Sequence, residues 1–231
     1  MVDDALLILV ATPIGHLGDL SPRAAAALTE ADFWVVEDSR VSGKLAAHLG
    51  IRKTMRVLND HSTDRQVEAI LDELKSGRRA CLLTDGGCPV VSDPGAHLCD
   101  LAHQAGLIVD AVPGPSAVTD ALMLSGFYGQ RFCFLGFLSR KPGPIREELL
   151  PYADSPVTLI LFESPHRLDT LLEVAHGILG PRRYAICREM TKTHQQVYRN
   201  FLPTCPLDSE MPKKGEVTLV IEGKRKAEVA L

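Results

Sequence analysis

Ala80-Cys81-Leu82-Leu83-Thr84-Asp85-Gly86-Gly87-Cys88-Pro89-Val90-Val91-Ser92-Asp93-Pro94-Gly95 is the stretch whose reading decides the fold. Its first five residues form a short apolar run of the kind found in fully buried strands. Asp93 with Pro94 behind it has the signature of a helix start, an N-cap followed by proline at the first helical position, and predicts a helix from Pro94 to Gln104. A strand that ends in a carboxylate and two glycines, then turns into a helix, is a unit of a parallel sheet. Ligands of open α/β sheets sit beyond the carboxyl ends of the strands, where glycines let the backbone come close. A tight connection with no ligand would use the same residues, so the neighbouring segments must decide.

Upstream, Leu6 to Ala11 reads as a first strand, followed by the loop Thr12-Pro13-Ile14-Gly15-His16-Leu17-Gly18-Asp19 and an alanine-rich helix from Arg23 to Ala31 capped by Ser21-Pro22. Phe33 to Val36 is a second strand that runs into Glu37-Asp38-Ser39-Arg40, with a short helix from Ser42 to Leu49. Thr54 to Leu58 is a third strand, and Val67, Ile70, Leu71 and Leu74 mark a helix over 64–75 that ends at Gly77. Downstream, Ile108 to Val112 leads into Pro113-Gly114-Pro115-Ser116, and Ser116 caps an apolar helix ending near Gly126. Strand and helix alternate to this point, which predicts a parallel sheet covered on both faces.

The texture then changes. Phe132 to Leu138 is an aromatic-rich strand followed by the loop Ser139 to Pro144, and Val157 to Phe162 is a strand ending in Glu163-Ser164-Pro165-His166-Arg167. Leu168, Leu171, Leu172 and Ala175 share one face of a helix that stops at Gly180. Tyr184 to Cys187 ends in Arg188-Glu189-Met190-Thr191-Lys192, and Val217 to Ile221 is the last strand before a charged tail. The expected organisation is an N-terminal α/β domain over 1–116 with a parallel sheet and a C-terminal α/β domain over 117–231 with a mixed sheet.

With 231 residues the chain has ample material for a core. No stretch approaches a membrane span, the acidic Asp3 and Asp4 are unlike the basic start of a signal peptide, and six scattered cysteines form no Cys-x-x-Cys pair. A cytoplasmic protein with no metal site and no membrane partner is expected. The net charge of −4 is uneven: residues 1–126 carry 10 Lys and Arg against 17 Asp and Glu, net −7, and residues 127–231 carry 15 against 12, net +3. That asymmetry fits either a division of labour or drift of solvated surface.

Polar or Gly/Pro clusters end five strands, at 12–19, 37–40, 84–87, 113–116 and 163–167, and 188–192 adds a sixth. Any one of them reads as surface, with Glu37 or Asp38 paired to Arg40 and Glu163 to Arg167. All six together read as one site, because chance would scatter them over both ends of the sheets. The glycine fingerprints of dinucleotide and P-loop sites are absent, and no His/Cys spacing suggests a metal.

The segments 12–19, 37–40, 85–95, 113–117, 162–167 and 188–192, matched in order within residues 6 to 223, resemble the ribosomal RNA small subunit methyltransferase I family of the tetrapyrrole methylase superfamily. The chain departs from the family's usual residues at His16, Ser39, Gly86, Cys88, Phe162 and Met190; the last three replace Thr, Tyr and Leu. The resemblance implies two αβα domains with S-adenosyl-L-methionine in the cleft between them, a homodimer, and 2′-O-methylation of a decoding-region cytidine in 16S rRNA, on the 30S subunit. It implies a donor site made of Pro13, Ile14, Asp85, Gly86, Gly87, Cys88, Val91, Pro113, Ser116, Ala117 and Phe162.

Methyl transfer from a sulfonium demands positioning above all, and a carboxylate such as Asp85 suits the donor's positive charges. The acceptor hydroxyl needs a base or a cation that stabilises its alkoxide, for which Glu37, Glu163, Glu189 and Lys192 are unranked candidates. Arg40, His166, Arg167 and Arg188 are the expected RNA contacts. Methylation of a tetrapyrrole or a protein, and a non-catalytic RNA-binding assembly factor, are the alternatives.

Overall fold

The computed structural model describes residues 7–225; Leu6 of the first expected strand, Asp3, Asp4 and the tail beyond 225 lie outside them. The chain divides after Ser116 into two compact units.

The first unit is built on five strands, β1 (Leu7–Val10), β2 (Phe33–Val36), β3 (Thr54–Val57), β4 (Ala80–Leu83) and β5 (Val109–Val112), in the order β3-β2-β4-β1-β5. Every pair is parallel. Helices α1 (Pro22–Glu30) and α2 (Ser39–His48) cover one face, where Ala24, Ala27, Leu28 and Leu45 pack on Ile8, Val10, Trp34 and Leu83. Helices α3 (Asp64–Lys75) and α4 (Ala96–Gln104) cover the other, with Val67, Ile70, Leu74 and Leu98 on Leu7, Phe33, Val35 and Leu82. Successive strand residues therefore serve opposite faces, and both are dry. The fully buried Trp34 ring is made tolerable by its indole N–H, which donates to the Leu28 carbonyl at 2.9 Å.

The second unit has a mixed sheet of β6 (Phe132–Phe137), β7 (Thr158–Glu163), β8 (Arg183–Arg188), β9 (Gln196–Phe201) and β10 (Val217–Ile221), ordered β6-β7-β10-β8-β9. Only β6 and β7 are parallel; β10 runs against both of its neighbours, and β9 runs against β8. Helices α6 (Pro142–Leu149) and α7 (Leu168–Leu179) build the larger core on one face. The nine-residue α5 (Ala117–Ser125) lies on the other, where the Ala121 carbonyl meets the Cys187 thiol at 3.7 Å.

Several elements differ from the sequence expectation. Helix α2 begins at Ser39, capped by the Asp38 carboxylate on the Arg40 N–H at 2.8 Å, so Glu37-Asp38-Ser39-Arg40 is a strand-to-helix corner. Helix α4 begins at Ala96 with Gly95 as its N-cap, and Asp93-Pro94 belongs to the preceding loop. Gly95 is required there: its φ is +122°, and a Cβ would lie 2.7 Å from a Leu82 methyl. Helix α6 occupies what reads as a loop at Pro142 to Pro144, and β9 is an additional edge strand.

Candidate active site

All five strands of the first sheet are parallel, so the loops after them emerge at one edge. The two central ones are joined: Thr12 and Gly87 exchange backbone hydrogen bonds of 2.9 and 3.0 Å in an isolated antiparallel bridge past the end of the parallel β1–β4 pairing. Gly87 has φ +93° and faces the Ile14 side chain; Gly86 comes so close to Pro13 that a Cβ would sit 3.2 Å from its carbonyl oxygen. Gly114 is in the same position against Ala11, and the Cys88 thiol lies 3.5 Å from the Pro115 carbonyl. The expected donor residues Pro13, Ile14, Gly86, Gly87, Cys88 and Pro113 thus belong to three loops closed on one another, a backbone-lined cradle that side chains on the glycines would fill. Ser116 ends this unit, and Ala117 opens α5 in the other.

Carboxylates rim the cradle. The Glu37 and Asp85 carboxylates lie close enough to feel each other at the ends of the neighbouring strands β2 and β4. Burial, and for Glu37 the nearby charge of Asp85, raises both pKa values. Asp93, assigned by sequence to a helix cap, is pushed up to about 6 by burial and by Glu37. Asp38 goes the other way, to about 2, because Arg40 grips it; Arg40 itself is 88% exposed. Val91 is exposed.

In the second unit β7 and β8 run in the same direction, so Glu163 and the 188–192 segment emerge at one edge. The four candidates for proton transfer have very different surroundings. The Glu163 side chain is 1% exposed; its Oε1 accepts from the Ser164 N–H at 2.6 Å and pairs with Arg167 at 3.3 Å, while its buried Oε2 has no partner. Burial raises its pKa against those two contacts. Glu189 is held low by the Glu216 N–H at 2.9 Å, with Lys192 at 3.0 Å. Burial pulls the Lys192 ammonium down, but Glu216 and Glu189 together outweigh it and raise its pKa. Glu37, half-buried with its pKa raised, combines partial access with proton affinity.

The expected RNA contacts divide in the same way. Arg40 and His166 are exposed. Arg167 donates to the Leu138 and Ser139 carbonyls at 3.1 and 2.7 Å as well as pairing with Glu163. Arg188 is 6% exposed and donates to the Lys214 and His194 carbonyls and the Gln196 amide oxygen. Its burial and three protein acceptors give it the form of a strut. Phe162 meets Phe134 edge-on and Phe137 at a tilt, with ring centroids at 4.8 and 5.5 Å.

Backbone strain marks the same two places. The described non-glycine residues with positive φ are Val90 (73°) and Ser92 (66°) after β4, and Glu189 (51°) and Thr191 (62°) after β8. Left-handed conformations of non-glycine residues cost roughly 1–3 kcal/mol each and persist where the surroundings over-determine them. No residue type at these four positions signals it in the sequence.

The family model for Tetrapyrrole (Corrin/Porphyrin) Methylases matches residues 6–206. The chain is 38% identical over 227 residues to ribosomal RNA small subunit methyltransferase I of Haemophilus influenzae, covering 96% of this chain and 80% of that one. To the protein of the same name from Mycobacterium tuberculosis it is 42% identical over 220 residues, covering 94% and 77%. Among solved structures, the methyltransferase CobJ superposes with a TM-score of 0.71 at 18% identity, covering 96% of this chain and 97% of that one. A diphthine synthase does so with 0.70 at 17%, covering 94% and 90%. At those identities the likeness is one of fold.

Proposed function

Because the chain belongs to the tetrapyrrole methylase family and, within it, to the ribosomal RNA small subunit methyltransferases I, we propose that it 2′-O-methylates a decoding-region cytidine of 16S rRNA. It is an S-adenosylmethionine-dependent methyltransferase, and the donor supplies an electrophilic methyl group on a sulfonium. The 30S subunit is the proposed substrate particle, the cytoplasm the compartment and a homodimer the assembly. Among the described residues no helix is long and apolar enough to cross a membrane.

The observation that carries the reading is the cradle of the first unit with its rim of proton-hungry carboxylates. Closely approaching backbone at Gly86, Gly87 and Gly114 suits a flat nucleoside, and Glu37, Asp85 and Asp93 suit a cationic one. In this reading Asp85 orients the donor and Glu37 takes the hydroxyl proton. Methyl transfer from labelled donor to 30S particles, naked 16S rRNA and a tetrapyrrole, run side by side, tests it. Label in the 30S or rRNA sample, mapped to a cytidine ribose, is the expected result; label only in the tetrapyrrole overturns it.

Asp85→Ala should weaken S-adenosylmethionine binding roughly tenfold, the scale of one charge-assisted hydrogen bond. The carboxylate is exposed and its ionised form is disfavoured in the fold, so the variant should melt no earlier than the parent. Calorimetry checks the affinity, and an unchanged Kd in the folded variant removes Asp85 from the donor site.

The raised acids make binding pH-dependent. Protonated Asp93 favours the fold, a contribution complete below the ordinary value of 3.8 and lost as pH rises through about 6. Donor binding has the opposite sign, since a cation selects the ionised carboxylates. Affinity should therefore fall as pH drops from 7.5 to 5, with proton release on binding near pH 6. Equal affinity at both pH values would separate Asp93 from the donor.

A further inference from the structure

Strand β9 leads away from the loop at 188–192 and ends at the opposite edge of the second sheet, about 17 Å on at the rise of an extended chain. Its residues Gln196, Tyr198 and Asn200 are half-buried, while Val197, Arg199 and Phe201 are exposed on the side that carries α5. At the far end lies a pocket of about 130 Å³ lined by Phe127, Arg183, Tyr184, Arg199, Asn200 and Phe201.

Two guanidinium groups bear on one ring there: Arg183 lies 5.3 Å and Arg199 5.1 Å from the Phe127 centroid. Arg183 is also tied to the buried Glu222, but Arg199 forms no ion pair among the described residues and stands exposed over the ring. Phe201 is 55% exposed beside it, and the neighbouring Tyr128, 46% exposed, carries Arg225 at 4.7 Å. The charged side chains lining the pocket are both cationic. A purely structural edge would need neither an unpaired arginine nor an exposed phenylalanine, since apolar rings on an edge strand invite self-association.

We propose that this pocket and the outer face of β9 bind a single-stranded stretch of RNA flanking the methylated nucleotide, an inference that rests on rRNA as the substrate. Arg199 would meet a phosphate, and the Phe201 ring would offer a base a flat surface. Cation and ring stand together, the combination by which single strands are held without sequence readout. The strand itself sets the spacing between this contact and the 188–192 loop.

The test uses Arg199→Ala, Phe201→Ala and the double variant of the full chain, with the decoding-region 16S RNA oligonucleotide and 30S subunits as probes. Single-stranded RNA affinity should fall about tenfold in the double variant, and the salt slope should drop by about 0.7 through Arg199, the share of one phosphate contact. Calorimetric affinity for S-adenosylmethionine and the circular dichroism spectrum should match the parent. Parental affinity and slope in the folded variants overturn the inference. A changed sedimentation coefficient also overturns it, by showing that the face joins two copies of the chain. Methyl transfer by the parent reads the function separately, so a parent that methylates RNA beside indifferent variants condemns only this contact.

Discussion

Replacing Glu37 with glutamine is expected to slow methyl transfer by about 10²–10⁴-fold, the range that general-base catalysis contributes. Glutamine keeps the length and polarity of the side chain, so the β2–β4 corner should hold. What disappears is the proton acceptor. Among the three carboxylates Glu37 alone joins a raised pKa to partial exposure, since Glu189 is held low by the Glu216 N–H and Glu163 is sealed, and Lys192 is a cation between two carboxylates. Donor affinity should stay within a few-fold of the parent, because Asp85 and Asp93 remain. Single-turnover kinetics with bound donor separates the two effects. A variant that turns over at the parental rate takes the proton away from Glu37, and a parallel Glu163→Gln measurement then shows whether the buried carboxylate receives it.

How far such a site could be read from sequence depended on whether its signals were local. Helix α3 was legible to the residue, since Val67, Ile70, Leu71 and Leu74 repeat with the helical period and Thr63 and Gln66 close a capping box. The cradle was legible because Gly86, Gly87, Pro113 and Gly114 are backbone statements, made by residue types with special conformational freedom or none. Helix α4 misled for the converse reason. Asp93-Pro94 has the local form of a cap, but the left-handed turn at Val90 and Ser92 delays the helix to Ala96, and Asp93 is left among the acids.

Helix α6 hid behind Pro142 and Pro144, which look like breakers yet sit in a first turn where N–H groups have no intrahelical partner. Strand β9 hid because its pattern is inverted, with Val197 and Phe201 outward and Gln196 and Asn200 inward. The burial of Arg188 is tertiary altogether. Nothing in Arg188-Glu189-Met190-Thr191-Lys192 distinguishes an arginine aimed at solvent from one aimed at the carbonyls of Lys214 and His194.

That distinction sets the last expected result. Arg188→Ala should cost about 3 kcal/mol of stability, the scale for removing a buried charged donor and stranding its acceptors. For a chain of this size the melting temperature should fall by roughly 6–12 °C. The side chain donates to the Lys214 carbonyl at 2.5 Å, the His194 carbonyl at 3.2 Å and the Gln196 amide at 3.0 Å, joining the segments before β9 and β10 to the end of β8. Its loss frees the loop that holds Glu189 and Thr191 in left-handed conformations, so Lys192 should lose its fixed place between Glu189 and Glu216. Arg188→Lys keeps the charge but not the fork, and should recover only part of the stability. The salt dependence of RNA binding should be that of the parent, because a strut touches no phosphate. A variant with parental melting and a flattened salt slope would return Arg188 to the RNA surface and make the hydrogen bonds to Lys214, His194 and Gln196 incidental to its role.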